Sequence, residues 1–354
     1  MPIFDQGYQH WTGHMSGHAW RWLAIARHGV RVSLQNRLLR IFLIVAWIPA
    51  ILLATFLCIW GLVERNSAVI TSIAPLLRGF LNSAILEGPR PYRIEIWTLS
   101  YSIFLWVELR FAMVLILFVG PNLISQDLRY NALPLYFSRP LRRIDYFLGK
   151  LGIITAFLGL VIILPSLVAY ILGLLFSLDI SIIRDTFGIL LASIAYGLIV
   201  SVSAGVLILA LSSLSRNSRY VAMFWLGIWF VSSTVSSILG VIEYQQRWHD
   251  ARREGLTRRS AEFLASELEA AKTDWRPLVS YTTNLDRIGQ ELLGSDAAWV
   301  KVSKLQPVQM RSQFLLLRGG WQFPWVWSAA VLIALFGFSA CILNFAVKSL
   351  DRLK

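Results

Sequence analysis

The chain has 354 residues, 56% hydrophobic and only 15% charged, with 33 Lys and Arg against 20 Asp and Glu for a net charge of +13. A soluble domain carries about 25% charged and roughly 45–50% apolar residues. Here the apolar excess is gathered into blocks without an ionisable side chain, at 41–63, 151–178, 186–215, 220–242 and 319–347. Each exceeds the ~20 residues that cross ~30 Å of hydrocarbon as a helix. A soluble fold, disorder and a disulfide-stapled secreted domain are thereby excluded.

Residues 1–40 precede the first block. Trp11, Trp20, Trp22, Leu23, Ile25, Val30 and Leu34 alternate at helical spacing with Arg21, Arg27, Arg31, Arg37 and Arg40. The pattern predicts an amphipathic helix with Trp22 and these five arginines at the lipid headgroups. A helix packed on its own bundle fits equally, and both can hold. The first block is too long for a signal-peptide core, so the N-terminus is expected to stay in the mature protein. His10, His14 and His18 recur every four residues and could hold a metal. Gly7, Gly13 and Gly17 weaken a helix there, and a solvated stripe is the plainer reading. Cys58 and Cys341 sit inside apolar blocks as small buried hydrophobes.

A sixth span is less clean, because Glu108 and Arg110 separate two uncharged runs. One long helix over about 99–125 is predicted, with Glu108 about 25 Å from Ser125, near an interface where its charge reaches headgroups or water. Gly120-Pro121 should bend it. Ser138 can cap and Pro140 can open a short following helix whose Leu141, Ile144, Tyr146, Phe147 and Leu148 make an apolar side. Such a surface helix, tied to two spans, is a handle for a partner protein; a plain connector is the alternative. In the fourth and fifth spans Ser193, Gly197, Ser201, Ser203, Gly205, Ser232, Ser233, Ser236 and Ser237 read chiefly as close-packing positions, as do Trp225 and Trp229.

The long segment 243–318 is expected as the one sizeable soluble part, with short helices over 260–272 and 286–293, the second closed by Gly294. With both termini cytoplasmic, Arg129, Arg139, Arg142, Arg143, Lys150, Arg216, Arg219 and Lys348 fall inside, and the short outer loops are balanced in charge. The basic balance then reflects topology and does not point to nucleic acid.

Catalytic hardware is missing. There is no phosphate-binding glycine loop, since Gly149-Lys150 lacks the upstream glycine, and no His-Glu-x-x-His, Cys-x-x-Cys or Gly-x-Ser-x-Gly. Intramembrane carboxylates, the usual parts of a proton relay, are reduced to Glu108. Were such a chain to move a solute, the energy would have to come from another chain. The scarcity of charge along the spans argues against a simple ion pathway, and if the chain transports anything it fits an amphiphilic or hydrophobic cargo.

Asp127, followed by a leucine-rich stretch, then Ser138-Arg139-Pro140-x-x-Arg143 and Tyr146-x-x-Gly149-Lys150 entering the third span, resembles the permease subunit of ABC-2 type ABC transporters. The six-span plan, the basic leading segment and the turn 215–219 are similar too. The resemblance implies an all-α polytopic protein of the bacterial cytoplasmic membrane that pairs with a second, identical or related permease on two ABC ATPase subunits. It implies no catalysis and no cofactor in this chain, with Mg-ATP on the partner. Asp127, Arg129, Ser138, Arg139, Pro140, Leu141, Arg143, Asp145, Tyr146, Gly149 and Lys150 would form the coupling segment, within 126–150, that docks on the ATPase. Members commonly carry short re-entrant helices between the fifth and sixth spans, and 243–318 is longer than in the shortest of them. A membrane scaffold for an envelope complex and an ion-coupled secondary transporter remain the alternatives.

Overall fold

A computed structural model describes residues 20–65, 85, 88–132, 136, 141–177, 181–257, 260–305 and 323–351, with 261, 264 and 347–351 as backbone alone. Among them all regular structure is helical. Six helices are long and apolar enough to cross a membrane: Arg37–Glu64, Arg90–Arg129, Arg143–Ser177, Ser181–Leu214, Ser218–Arg253 and Trp325–Ala346. They are the six expected spans, including the one interrupted by Glu108 and Arg110. A leading helix, Arg21–Ser33, precedes them.

The second span breaks where its sequence says it should. One helix ends at Val119 and the next starts at Asn122. Pro121 has no N–H, and the backbone groups around the break find a partner in the fourth span. Ser212 Oγ accepts from the N–H groups of Ile124 and Ser125, both at 3.0 Å, and donates to the Pro121 carbonyl at 3.0 Å. Inside hydrocarbon such groups must be satisfied by protein. Gly120 permits the approach, since a Cβ there would lie 2.4 Å from Ile208 Cγ1. The small residues of the fourth span act likewise: Gly197 lies against Ile163 and Gly205 against Leu151. Ser193 and Ser201 donate to their own helix. Trp225 is buried and donates to the Met113 carbonyl at 3.0 Å.

At the end of the bundle away from the Gly120 break, Arg93 joins three spans. Its guanidinium meets Glu64 at 2.8 Å, Asp185 at 3.2 Å and Ser181 at 2.9 Å. Glu64 also accepts from Trp60 Nε1 at 2.7 Å. A buried charge is tolerated only when paired and hydrogen-bonded in this way.

The described part of segment 243–318, residues 243–257 and 260–305, does not stand apart from the bundle. Its first residues prolong the fifth span to Arg253. Helix Ala261–Thr273, capped by Ser260, then returns along that span, with Phe263 against Tyr244 and Trp248, and Arg247 on Glu267 at 2.7 Å. Helix Tyr281–Leu293, capped by Ser280, starts five residues before the expected 286 and closes at Gly294 with φ 66°. It is buried among the second, fourth and sixth spans. Tyr281 bonds Ser203 and faces Trp225, and a Cβ on Gly289 would meet the Tyr196 ring at 2.9 Å. Ser233 and Ser236 of the fifth span hold the 276–282 stretch. Helix Ser295–Ser303 then packs on the second span, with Lys301 on Glu95.

Candidate functional site: the joint between the second and third spans

The short helix Asn122–Arg129 carries Asp127 into the angle between the two spans. The chain turns at Tyr130 and at Asn131, whose φ of 51° is the left-handed conformation that Asn tolerates best after Gly. Ser138, Arg139 and Pro140 lie outside the described residues. Leu141 is half-buried against the core.

The helix expected to open near Pro140 as a separate surface element begins instead at Arg143. Arg142 is its N-cap, and the Asp145 carboxylate accepts from the Arg142 N–H at 3.1 Å. Asp145 also suits the positive helix N-terminus. The helix continues without interruption into the third span, so Ile144, Tyr146, Phe147 and Leu148 sit on the first turns of that span rather than on a separate element.

Two turns in, Lys150 and Tyr146 face back across the joint. Lys150 Nζ is 2.7 Å from Asp127 Oδ2, and Tyr146 Oη donates to the same oxygen at 2.7 Å. The lysine and aspartate side chains are only 10% and 15% exposed. Tyr146 is fully buried, with the Lys150 ammonium 5.4 Å from its ring centre and the Tyr136 ring 5.4 Å away. Burial, and then the Asp127 charge, push the Tyr136 hydroxyl above its ordinary range. The ends of two spans are thus locked by one carboxylate serving a cation and a phenol.

The leading helix closes the joint from the side. A Cβ on Gly149 would lie 2.7 Å from Ile25 and 3.1 Å from the Trp22 carbonyl, and Gly152 lies against Ala26. Gly149 is thus a packing residue. Trp22 and Arg21 are half-buried, while Arg27, Arg31, Arg37 and Arg40 are exposed. The leading helix both packs on the bundle and turns a basic face outward.

The structure therefore brings together Asp127, Tyr146, Gly149 and Lys150. It leaves Arg129 exposed over the Tyr130 ring at 5.7 Å, and Arg143 and Asp145 half-buried on the outer side of the same helix. Beside them, Tyr130 is 72%, Ile144 67% and Leu148 43% exposed. Tyr136 and Ser212 were invisible to sequence reasoning. Ser212 acts 87 and 88 positions away from the N–H groups it satisfies, and no periodicity signals that.

Glu108 does not reach headgroups or water. It is 0% exposed, and neither carboxylate oxygen has a hydrogen-bond partner among the described residues. Arg110 points elsewhere, bidentate on Asp286 at 2.9 and 2.7 Å and 4.1 Å from the Trp106 ring centre. Among the described residues no group of three His, Cys, Asp or Glu could hold a metal ion; His10, His14 and His18 lie outside them. No protein-family model and no curated protein matches the chain.

Proposed function

We propose that this chain is the membrane-spanning permease of an ATP-driven exporter of the ABC-2 type. In this reading both termini are cytoplasmic, the membrane is a bacterial cytoplasmic membrane, and ATP is hydrolysed on separate ATPase subunits under a paired permease. The observation that carries the reading is the Asp127–Lys150–Tyr146 lock. A push on the exposed Tyr130, Ile144 and Leu148 cannot be absorbed by a flexible loop, because the lock passes it to the second and third spans together. Apolar residues exposed beside arginines suit a protein groove. The cargo is amphiphilic or hydrophobic, consistent with spans whose buried charges are nearly all paired.

Purification of the full chain from its native membrane, followed by mass spectrometry, tests the reading. An ABC ATPase should co-purify, and the chain alone should hydrolyse no ATP. Arg143→Glu or Ile144→Asp should uncouple hydrolysis from transport in a protein that still folds. Recovery of envelope proteins alone would favour a scaffold instead. Ion-coupled transport draws on one specific observation, a buried Glu108 without a hydrogen-bond partner among the described residues. Cargo movement in ATP-depleted vesicles that follows membrane potential or pH would support it and overturn the first reading.

A further inference from the structure

Between the leading helix and the joint lies a cavity of about 330 Å³, the size of a small-ligand site. Its polar wall residues include His28, Ser33, Asn122, Gln126, Asp127 and Lys150. The side chains of His28, Ser33, Asn122 and Gln126 make no hydrogen bond to a described residue. The Lys150 ammonium has three N–H donors, and Asp127 uses one of them at 2.7 Å. Its apolar wall residues include Val32, Leu39, Phe118 and Ile153.

We propose that this cavity takes the phosphate head of an anionic membrane lipid. Charge favours an anion. No Asp or Glu occurs between residues 6 and 63, whereas Arg27, Arg31, Arg37 and Arg40, each next in sequence to the wall residues His28, Val32, Asn36 and Leu39, are exposed. The only acid in the wall, Asp127, is already paired. Amides, a hydroxyl, an imidazole and an ammonium are suitable donors for phosphate oxygens. The apolar wall residues select a lipid over free phosphate. Leu39 of that wall stands on the first span, whose Leu38, Ile41 and Ile44 are exposed by 64%, 48% and 74% and offer an apolar surface for acyl chains. A phosphate on Lys150 shares its ammonium with Asp127, so an occupied cavity bears directly on the joint. The site needs only a membrane-embedded chain, whether or not an ATPase drives it.

The test uses the full chain in detergent, with native mass spectrometry to count bound phosphatidylglycerol against phosphatidylcholine and inorganic phosphate as competitor. Phosphatidylglycerol should be retained in preference. The double variant Asn122→Leu/Gln126→Leu, which removes two donors to a charged group, should weaken retention by about tenfold or more. Ser33→Phe, which fills the cavity, should weaken it likewise, with melting unchanged in both. Unaltered retention in these variants overturns the proposal. So does loss confined to Arg27→Ala/Arg31→Ala, which would make the binding a matter of surface charge. Displacement by inorganic phosphate as readily as by the lipid would also overturn it, since the site would then take the free ion. Selective retention in a chain that recovers no ATPase would leave this inference standing and remove the ATP-driven reading.

Discussion

Lys150 and Asp127 show what one buried ion pair can do for a joint. Each alone would be a charge stripped of water; together, with the Tyr146 hydroxyl, they satisfy one another. Removing one partner of a buried pair costs about 3–5 kcal/mol, because the other stays buried and uncompensated, whereas removing both costs much less. Asp127→Ala and Lys150→Met should therefore each lower the melting temperature sharply. The double variant should lose clearly less than the sum, as a double-mutant cycle by thermal unfolding would show. Glu108 is the opposite case, a carboxyl with no partner among the described residues. An apolar side chain of similar volume removes a desolvation penalty and no hydrogen bond. Glu108→Met should melt no lower than the parent, and higher if the penalty is large. A drop in melting temperature would show that the carboxyl serves the fold.

Among the elements, the buried helix Tyr281–Leu293 is held by a polar contact as well as by packing. Arg110 grips Asp286 from the second span. Burial pushes the Asp286 carboxyl from its ordinary 3.8 up to about 6, and Arg110 opposes that rise. A raised folded-state value means that protonation favours the fold. This residue's contribution is complete below 3.8 and is lost as the pH rises through 6. The parent should accordingly gain thermal stability relative to Asp286→Asn as the pH is lowered from 7 to 5. Parallel profiles for the two proteins would contradict the buried geometry. The leading helix, by contrast, rests on shape, through Gly149 and Gly152 against Trp22, Ile25 and Ala26.

For the whole molecule, the two ends of the bundle differ in kind. One end holds the Lys150 joint, the leading helix and the cavity; the other holds the Arg93 network. In the proposed orientation the joint faces the cytoplasm and the tip of the fifth span faces outward. In a Cys58→Ala/Cys341→Ala background, Arg253→Cys, 84% exposed in its side chain, should react with an impermeant thiol reagent in intact cells. Tyr130→Cys should react only once the membrane is opened. Labelling of Tyr130→Cys in intact cells would place the joint outside and end the transporter reading.

The sequence by itself determined that this is a helical membrane chain, because unbroken apolar blocks have no other stable outcome in lipid. It also determined the interruption of the second span at Gly120-Pro121, where Pro121 brings no N–H, and the helix stop at Gly294. Two helices of 260–293 were legible, but not where they pack, because a short amphipathic helix reads the same whether its apolar side meets a small soluble core or the flank of a bundle; the spans around Tyr281–Leu293 decide that. The joint was half legible. Residues 127, 146, 149 and 150 stood out as a motif, but that three of them meet at a single carboxylate oxygen depends on two helices crossing there. Glu108 was misjudged for a related reason. Distance along a helix gives its depth, whereas its exposure is set by which neighbours close over it, and that is a property of the packed bundle alone.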